Sequence, residues 1–210
     1  MRGLQQEPEF AAPLREDDVD RDPFRQFASW FEQAAAGGIR MPEAAALATA
    51  TPGGMPSVRM VLIKETGPRG FAFFSNFESR KGRELAANPH AALLFYWDSL
   101  GRQVRIEGEV QRMDADESAR YIRTRPRGSQ LGALASPQSR VIPSREWLEQ
   151  EIAELAVLHA GELPLPETWG GLRLIPASFE FWQHREDRLH DRLRYTPTGD
   201  GRWLLERLAP

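Results

Sequence analysis

Between Ala46 and Met113 the chain alternates short apolar runs with turn signals: ALATAT, SVRMVLIK, GFAFFS, AALLFYW and RQVRIEGEVQRM, with PGGMP separating the first two. Period-two alternation in β-branched and aromatic residues predicts an antiparallel sheet. SRKGRELAANP interrupts it as a short helix capped by Ser79 and ended before Pro89. Ahead of the strands, DPFRQFASWFEQAAAGG predicts a helix with Asp22 as N-cap, Pro23 at the first helical position and a stop at Gly37 and Gly38. Phe24, Phe27, Trp30 and Phe31 give it an apolar stripe. After Met113 the period lengthens. DADESARYIRTRP predicts a helix from a cap at Asp114 to a break at Pro126, and SREWLEQEIAELAVLHAG a longer one with Trp147, Ile152, Leu155 and Leu158 as its inner stripe. The last third returns to strands: GGLRLIP, SFEFW, RLHDRLRY and GRWLLERL. Residues 1–20 are polar and aperiodic and predict a disordered tail. Residues 21–210 carry no repeat or linker and predict one domain, a β-rich α+β fold with helices around a barrel-like sheet.

Composition narrows the chemistry. A net charge of -3 over 210 residues gives no global attraction to nucleic acid or acidic membranes, so any basic function is local. No run approaches the length of a membrane span and the N-terminus has no apolar signal core, so the expected location is the cytoplasm. The chain has no cysteine, which removes thiolate metal sites and cysteine nucleophiles and leaves redox chemistry to a bound cofactor. His90, His159, His184 and His190 lack metal-ligand spacing, and no P-loop, Rossmann fingerprint or GxSxG elbow occurs. Only Lys64 and Lys81 among the 27 basic residues are lysines, and a compact ammonium does not substitute for a guanidinium fork.

Four cationic features remain. In SRKGRE, Arg80 and Lys81 occupy the first turn of a helix, where the macrodipole opposes them; an anion lodged with Ser79 resolves the conflict, and an exposed basic helix start is the plainer reading. In YIRTRPRGS, Tyr121 and Arg125 are four apart and share a helix face, with Ser129 beyond the break; phenol, guanidinium and hydroxyl suit phosphate oxygens, and an aromatic-arginine surface pair is the alternative. In RMVLIK, Arg59 and Lys64 fall on opposite faces by strand parity and so serve different groups. In RLHDR, Arg188, His190 and Arg192 occupy every second position, which in a strand gives one cationic face, either a charge-protected edge or an anion or polar-ring site. Two phosphate-sized sites are the combined expectation.

RMVLIK, SRKGRELAANP, RQVRIEGEV, YIRTRPRGSQLGALASPQS, WGG, FEFW and RLHDR, in this order, resemble pyridoxamine 5'-phosphate oxidases, with the similarity running from about Asp22 to Pro210. The resemblance implies an FMN-binding split β-barrel, antiparallel and of Greek-key type, working as a homodimer with FMN at the subunit interface. It implies that Arg59, Met60, Val61, Leu62, Ile63, Lys64, Phe74, Ser75, Arg80, Lys81, Gln103, Gln138, Ser139, Trp182 and Arg192 surround FMN. Lys64, Tyr121, Arg125 and Ser129 would grip the substrate phosphate, and Arg188 and His190 would lie over its pyridine ring as the catalytic pair. The implied reaction is oxidation of pyridoxamine 5'-phosphate and pyridoxine 5'-phosphate by oxygen to pyridoxal 5'-phosphate, with a hydride equivalent passing from substrate C4' to flavin N5 and hydrogen peroxide formed. MRGLQQEPEF departs from the basic, tyrosine-containing N-terminal segment that covers the active site in such enzymes. Two rivals stand beside this reading. One is a tailoring oxidase of the same fold acting on an unphosphorylated phenazine-type aromatic, which would not need Lys64, Tyr121, Arg125 and Ser129. The other is a noncatalytic flavin- or pyridoxal-phosphate-binding protein.

Overall fold

The computed structural model describes residues 12–210. The departure expected at the start of the chain, in residues 1–11, lies outside the described residues. Helix α1 (Pro23–Ala36) begins where predicted: Asp22 accepts a hydrogen bond from the Phe24 N–H at 2.9 Å, and Pro23 occupies the first turn, where no intrahelical donor is required. Its stripe of Phe27, Trp30 and Ala34 is buried against the inner face of the sheet. Phe27 meets Phe71 and Phe95 edge-on, each at 4.9 Å between ring centroids, and Trp30 meets Phe181 at 5.1 Å. Edge-to-face contacts of this kind add to the burial of large apolar surfaces.

The strands are β1 (Ala44–Ala50), β2 (Pro56–Leu62), β3 (Phe71–Asn76), β4 (His90–Trp97), β5 (Arg102–Arg112), β6 (Trp169–Gln183), β7 (Asp191–Pro197) and β8 (Trp203–Arg207). All pairings are antiparallel, in the order β2-β1-β4-β5-β6-β7-β8, with β3 paired to the first half of β6. Just beyond β2, the Lys64 N–H donates to Ala72 O at 2.7 Å and the Ala72 N–H to Glu65 O at 2.9 Å. These bonds close the circuit β2-β1-β4-β5-β6-β3 into a barrel, and β7 and β8 extend from it. GGLRLIP and SFEFW, read from the sequence as two strands, form the single strand β6; the pairing with β5 slips at Glu107 and Gly108, which lets one strand pass Pro176. A Cβ at Gly108 would stand 2.0 Å from Ile175 O, so the two backbones meet there only because the residue is glycine.

Helix α2 (Arg80–Ala87) lies between β3 and β4, and α3 (Ala115–Thr124), α4 (Arg127–Ala135) and α5 (Arg145–Leu158) follow β5. The sequence reading missed α4, since QLGALAS carries glycine and little periodicity. In α5 the expected inner stripe is partly present: Trp147, Ile152 and Leu155 are half-buried, Leu158 is 74% exposed, no residue of the helix is fully buried, and it packs mainly on α4.

The second half of the expected tail is docked. Leu14 and Val19 are buried. Arg207 donates to Leu14 O and to both oxygens of Glu16, the Leu14 N–H donates to Asp191 at 3.1 Å, and the Tyr195 hydroxyl donates to Asp20 O at 2.8 Å. The Arg207 hydrogen bond holds the Glu16 carboxyl down to about 2. Composition suggested disorder because the few apolar residues are spaced too widely to show a period, yet two of them reach the core. Leu14→Ala is expected to lower stability by about 2 kcal/mol in urea unfolding, the low end for a buried leucine; a free tail would leave the midpoint unchanged.

Candidate functional site

The start of α2 gathers the charges. Ser79 caps the helix, accepting from the Gly82 N–H at 3.2 Å and donating to Asn76 O at 2.7 Å. One turn on, Glu84 is 6% exposed, and four donors converge on its carboxylate: Thr49 Oγ1 and Ser57 Oγ on Oε2 at 2.5 Å each, Arg59 Nη2 on Oε2 at 3.3 Å, and Arg80 Nε on Oε1 at 2.9 Å. Burial alone would raise its pKa, but the hydrogen bonds from Ser57, Thr49 and Arg80 hold it down to about 2. Arg59 is also anchored by Leu47 O, Thr49 Oγ1 and Ser57 Oγ. Among the described residues Lys81 has neutral partners alone: Nζ donates to Ser75 Oγ and Gln138 Oε1 at 2.9 Å each and to Ser79 Oγ at 3.3 Å. Burial, and then the nearby Arg59 charge, push its ammonium down to about 8.

Lys81 stands on the wall of a cleft of about 570 Å³ that is also lined by Met60, Val61, Leu62, Lys64, Phe74, Ser75, Tyr121, Arg125 and Gln138. Arg59 and Arg80 stand outside that wall, and Ile63 is buried in the core. Lys64 Nζ lies 3.8 Å from Glu43 Oε1, so Arg59 and Lys64 do serve different groups. Tyr121 stacks on Phe74 at 3.7 Å between centroids, Phe74 stacks on Trp169 at 5.6 Å, and the Arg125 guanidinium lies 5.7 Å from the Trp169 ring. Burial raises the Tyr121 phenol and the Arg125 charge opposes this, which keeps a proton on the hydroxyl at neutral pH. A second recess of about 340 Å³ shares Phe74, Ser75, Arg125 and Gln138 with the cleft and adds Ser129 and Trp169. Ser139 follows Gln138 with a positive φ of 72°, at the turn that aims Gln138 toward Lys81.

The remaining predicted residues form a separate group. Gln103, Trp182 and Arg192 are direct neighbours in register across β5, β6 and β7. Buried Glu180 holds two arginines, Arg192 Nε at 2.9 Å and Arg105 Nη2 at 2.5 Å. The His190 ring lies 4.6 Å from Trp182 and 5.0 Å from His184, and its Nδ1 accepts from the Arg185 N–H at 3.2 Å. Burial, then His184 and Arg188, lower its pKa and favour the neutral imidazole. The alternation read from RLHDR does not hold here. β7 begins at Asp191, Glu186–Arg188 form a 3-10 turn, and Asp187 and Arg188 have φ of 53° and 61°. Arg188 and His190 are therefore placed by a turn, not by a pleat. Neither this group nor any of its members lines the cleft: it is centred on the second half of β6 and on β7, beyond the part of β6 that pairs with β3. The sequence reading missed Glu84, Thr49, Ser57, Glu180 and Trp169. Only Glu84 had a signal, its i,i+4 spacing from Arg80.

The closed antiparallel barrel, here with a cation-bearing cleft beside the start of a helix, has the split-barrel fold of FMN-binding proteins of the pyridoxamine 5'-phosphate oxidase type. Two solved structures share the fold: PhzG from Burkholderia lata, in complex with tetrahydrophenazine-1-carboxylic acid, at TM-score 0.89, 35% identity and coverage of 96% of this chain and 99% of that one, and a pyridoxamine 5'-phosphate oxidase-related, FMN-binding protein from Nostoc punctiforme at TM-score 0.69, 17% identity and coverage of 91% and 100%. Residues 31–159 match the family described as pyridoxamine 5'-phosphate oxidase, and residues 169–210 the pyridoxine 5'-phosphate oxidase C-terminal dimerisation region. Relatives called pyridoxine/pyridoxamine 5'-phosphate oxidase are 53% identical over 94% of this chain and 92% of the Trichormus variabilis protein, and 54% identical over 92% of this chain and 91% of the Paraburkholderia xenovorans protein. The chain belongs to the pyridoxamine 5'-phosphate oxidase family.

Lys81 gives a direct test of the cleft's anion preference. Its pKa in the free protein is near 8, so its charge fades above that pH. A bound anion stabilises the ammonium and raises the pKa. In an NMR titration, Lys81 Nζ should titrate near 8 and move upward when inorganic phosphate is added; an unchanged midpoint would remove the anion-binding role.

Proposed function

We propose that the chain is a cytoplasmic, homodimeric, FMN-dependent oxidase that converts pyridoxamine 5'-phosphate and pyridoxine 5'-phosphate to pyridoxal 5'-phosphate, with oxygen as electron acceptor and hydrogen peroxide as by-product. The observation that carries this reading is a cleft with cationic groups at two places: Lys81 backed by Arg59 and Arg80, and Lys64 with Tyr121 and Arg125. Each fits one phosphate monoester, of charge about -1.5 to -2.

The residues fit the cofactor phosphate. Among the described residues, Arg59, Arg80 and Lys81 against the single carboxylate of Glu84 leave a local charge near +2, and Lys81 has no carboxylate partner. When bound, FMN supplies the acceptor for the hydride equivalent from substrate C4' and the route by which oxygen is reduced. The protein's own contribution is binding and orientation. Lys81, Ser75 and Gln138 hold the cofactor phosphate end. Lys64, Tyr121, Arg125 and Ser129 hold the substrate phosphate. Arg188 and His190 supply polar contacts to the substrate ring, with the neutral imidazole able to accept a hydrogen bond. Because Gln103, Trp182 and Arg192, on β5, β6 and β7, and His190, in the turn before β7, do not line the cleft, these groups would come from the second subunit, in keeping with the match of residues 169–210 to a dimerisation region.

The likeness to PhzG favours a second reading, a tailoring oxidase for an unphosphorylated phenazine-type acid. Arg125→Ala separates the two. On the oxidase reading it should raise KM for pyridoxamine 5'-phosphate roughly 10- to 100-fold, the loss expected for a charge-assisted hydrogen bond, while flavin content stays at the level of the unmodified protein. An unchanged KM would favour the unphosphorylated substrate.

A further inference from the structure

Glu84 carries a negative charge into the part of the molecule where the proposed function needs positive charge. It is buried, fully ionised at neutral pH, and holds four donors from three different elements: Thr49 on β1, Ser57 and Arg59 on β2, and Arg80 on its own helix. Two consequences follow from this geometry. Arg80 spends only Nε on Glu84, and among the described residues its two terminal nitrogens donate to no protein group, so they stay available at the start of α2. Arg59 spends both terminal nitrogens on Leu47 O, Thr49, Ser57 and Glu84, so it acts as fixed background charge rather than as a free donor. A cation pinned in this way contributes electrostatically without being able to move to the ligand.

We propose that Glu84 is the positioning residue of the cofactor phosphate site: it fixes Arg59 and Arg80 by charge-assisted hydrogen bonds, so that the phosphate meets the oriented Arg80 and Lys81 against the fixed background charge of Arg59 rather than three mutually repelling cations. The proposal rests on the reading of this site as the place of the FMN phosphate. It also resolves the conflict raised by the sequence, in which two cations open a helix against its dipole. Glu84 is the counter-charge when no ligand is bound, and the ligand adds the remainder. Neutralising Glu84 raises the net charge of the site, so attraction alone would strengthen phosphate binding. Orientation acts the other way, because an amide at this position would present N–H groups to donors that need an acceptor. The geometry, with four donors on one carboxylate, makes orientation the larger effect.

The test compares affinities of the apoprotein for FMN and riboflavin, read by quenching of flavin fluorescence, which requires no turnover. The unmodified protein should prefer FMN. Glu84→Gln should weaken FMN about tenfold or more, the loss expected when hydrogen bonds to a charged group are broken, and leave riboflavin affinity near its original value. Ser57→Ala, which removes one donor from Glu84 and one contact of Arg59 on an edge strand, should reduce the same preference several-fold and serves if Glu84→Gln does not fold. A merely structural role would lower the melting temperature and weaken both flavins together. Retained or increased FMN preference in both variants would overturn the positioning role while leaving the site assignment intact. Equal affinity of the unmodified protein for the two flavins would overturn the assignment and this inference with it.

Discussion

The strand β6 is the constraint on which the rest of the molecule depends. Its first half pairs with β3, its second half with β7, and β5 follows it along nearly its whole length. That arrangement is possible only because the β5 and β6 backbones touch at Gly108 and because Gly170 and Gly171 leave room for Phe77 and Met113. Barrel closure through β3 and the extension through β7 are thus both fixed to one run of 15 residues. The same strand also sets the distance between the two groups of functional residues. Ser75 is opposite Gly170 at one end and Arg192 is opposite Trp182 near the other. The thirteen residues from Gly170 to Trp182 span up to roughly 40 Å of strand. No side chain bridges that length, which is why the proposed function draws the second group from another copy of the chain.

Within each group, buried carboxylates decide how arginines are presented. Glu84 holds Arg59 and Arg80, and Glu180 holds Arg105 and Arg192. A buried ion pair is weak evidence for stability, since desolvation offsets most of the attraction. Its value here is orientation: a guanidinium held through one nitrogen offers the others in a defined direction. Lys81 is the exception. Among the described residues its partners are Ser75, Ser79 and Gln138, with no carboxylate, and burial and then the nearby Arg59 charge lower its pKa.

The strand pattern and the capped helices α1 and α2 were legible because their signals are local: period-two alternation, Asp22 followed by Pro23, and Ser79 before Arg80. The gathering of Ser79, Arg80 and Lys81 at the start of α2 was legible for the same reason. What failed depends on contacts distant in sequence. Leu14 and Val19 look like tail residues until the core they enter is known. The apolar stripe of α5 looks like a core face until its partner proves to be α4. The regular spacing of Arg188, His190 and Arg192 suggested a pleat, but a 3-10 turn with two positive φ values breaks the strand just before Asp191, and spacing carries no record of that. Glu180 carries no local signal, and the i,i+4 spacing of Glu84 from Arg80 shows one of its donors; only the fold brings Thr49, Ser57 and Arg59 to it. Membership of the family was legible from the order of its motifs, with the particular reaction left to chemistry.

That reaction is tested most directly by adding pyridoxamine 5'-phosphate to the FMN-loaded protein in the absence of oxygen and following the visible flavin band. The account predicts that the band bleaches, and that admitting air restores it with formation of pyridoxal 5'-phosphate. A protein that holds FMN, yet keeps its band unchanged in the presence of this substrate, would contradict the assignment.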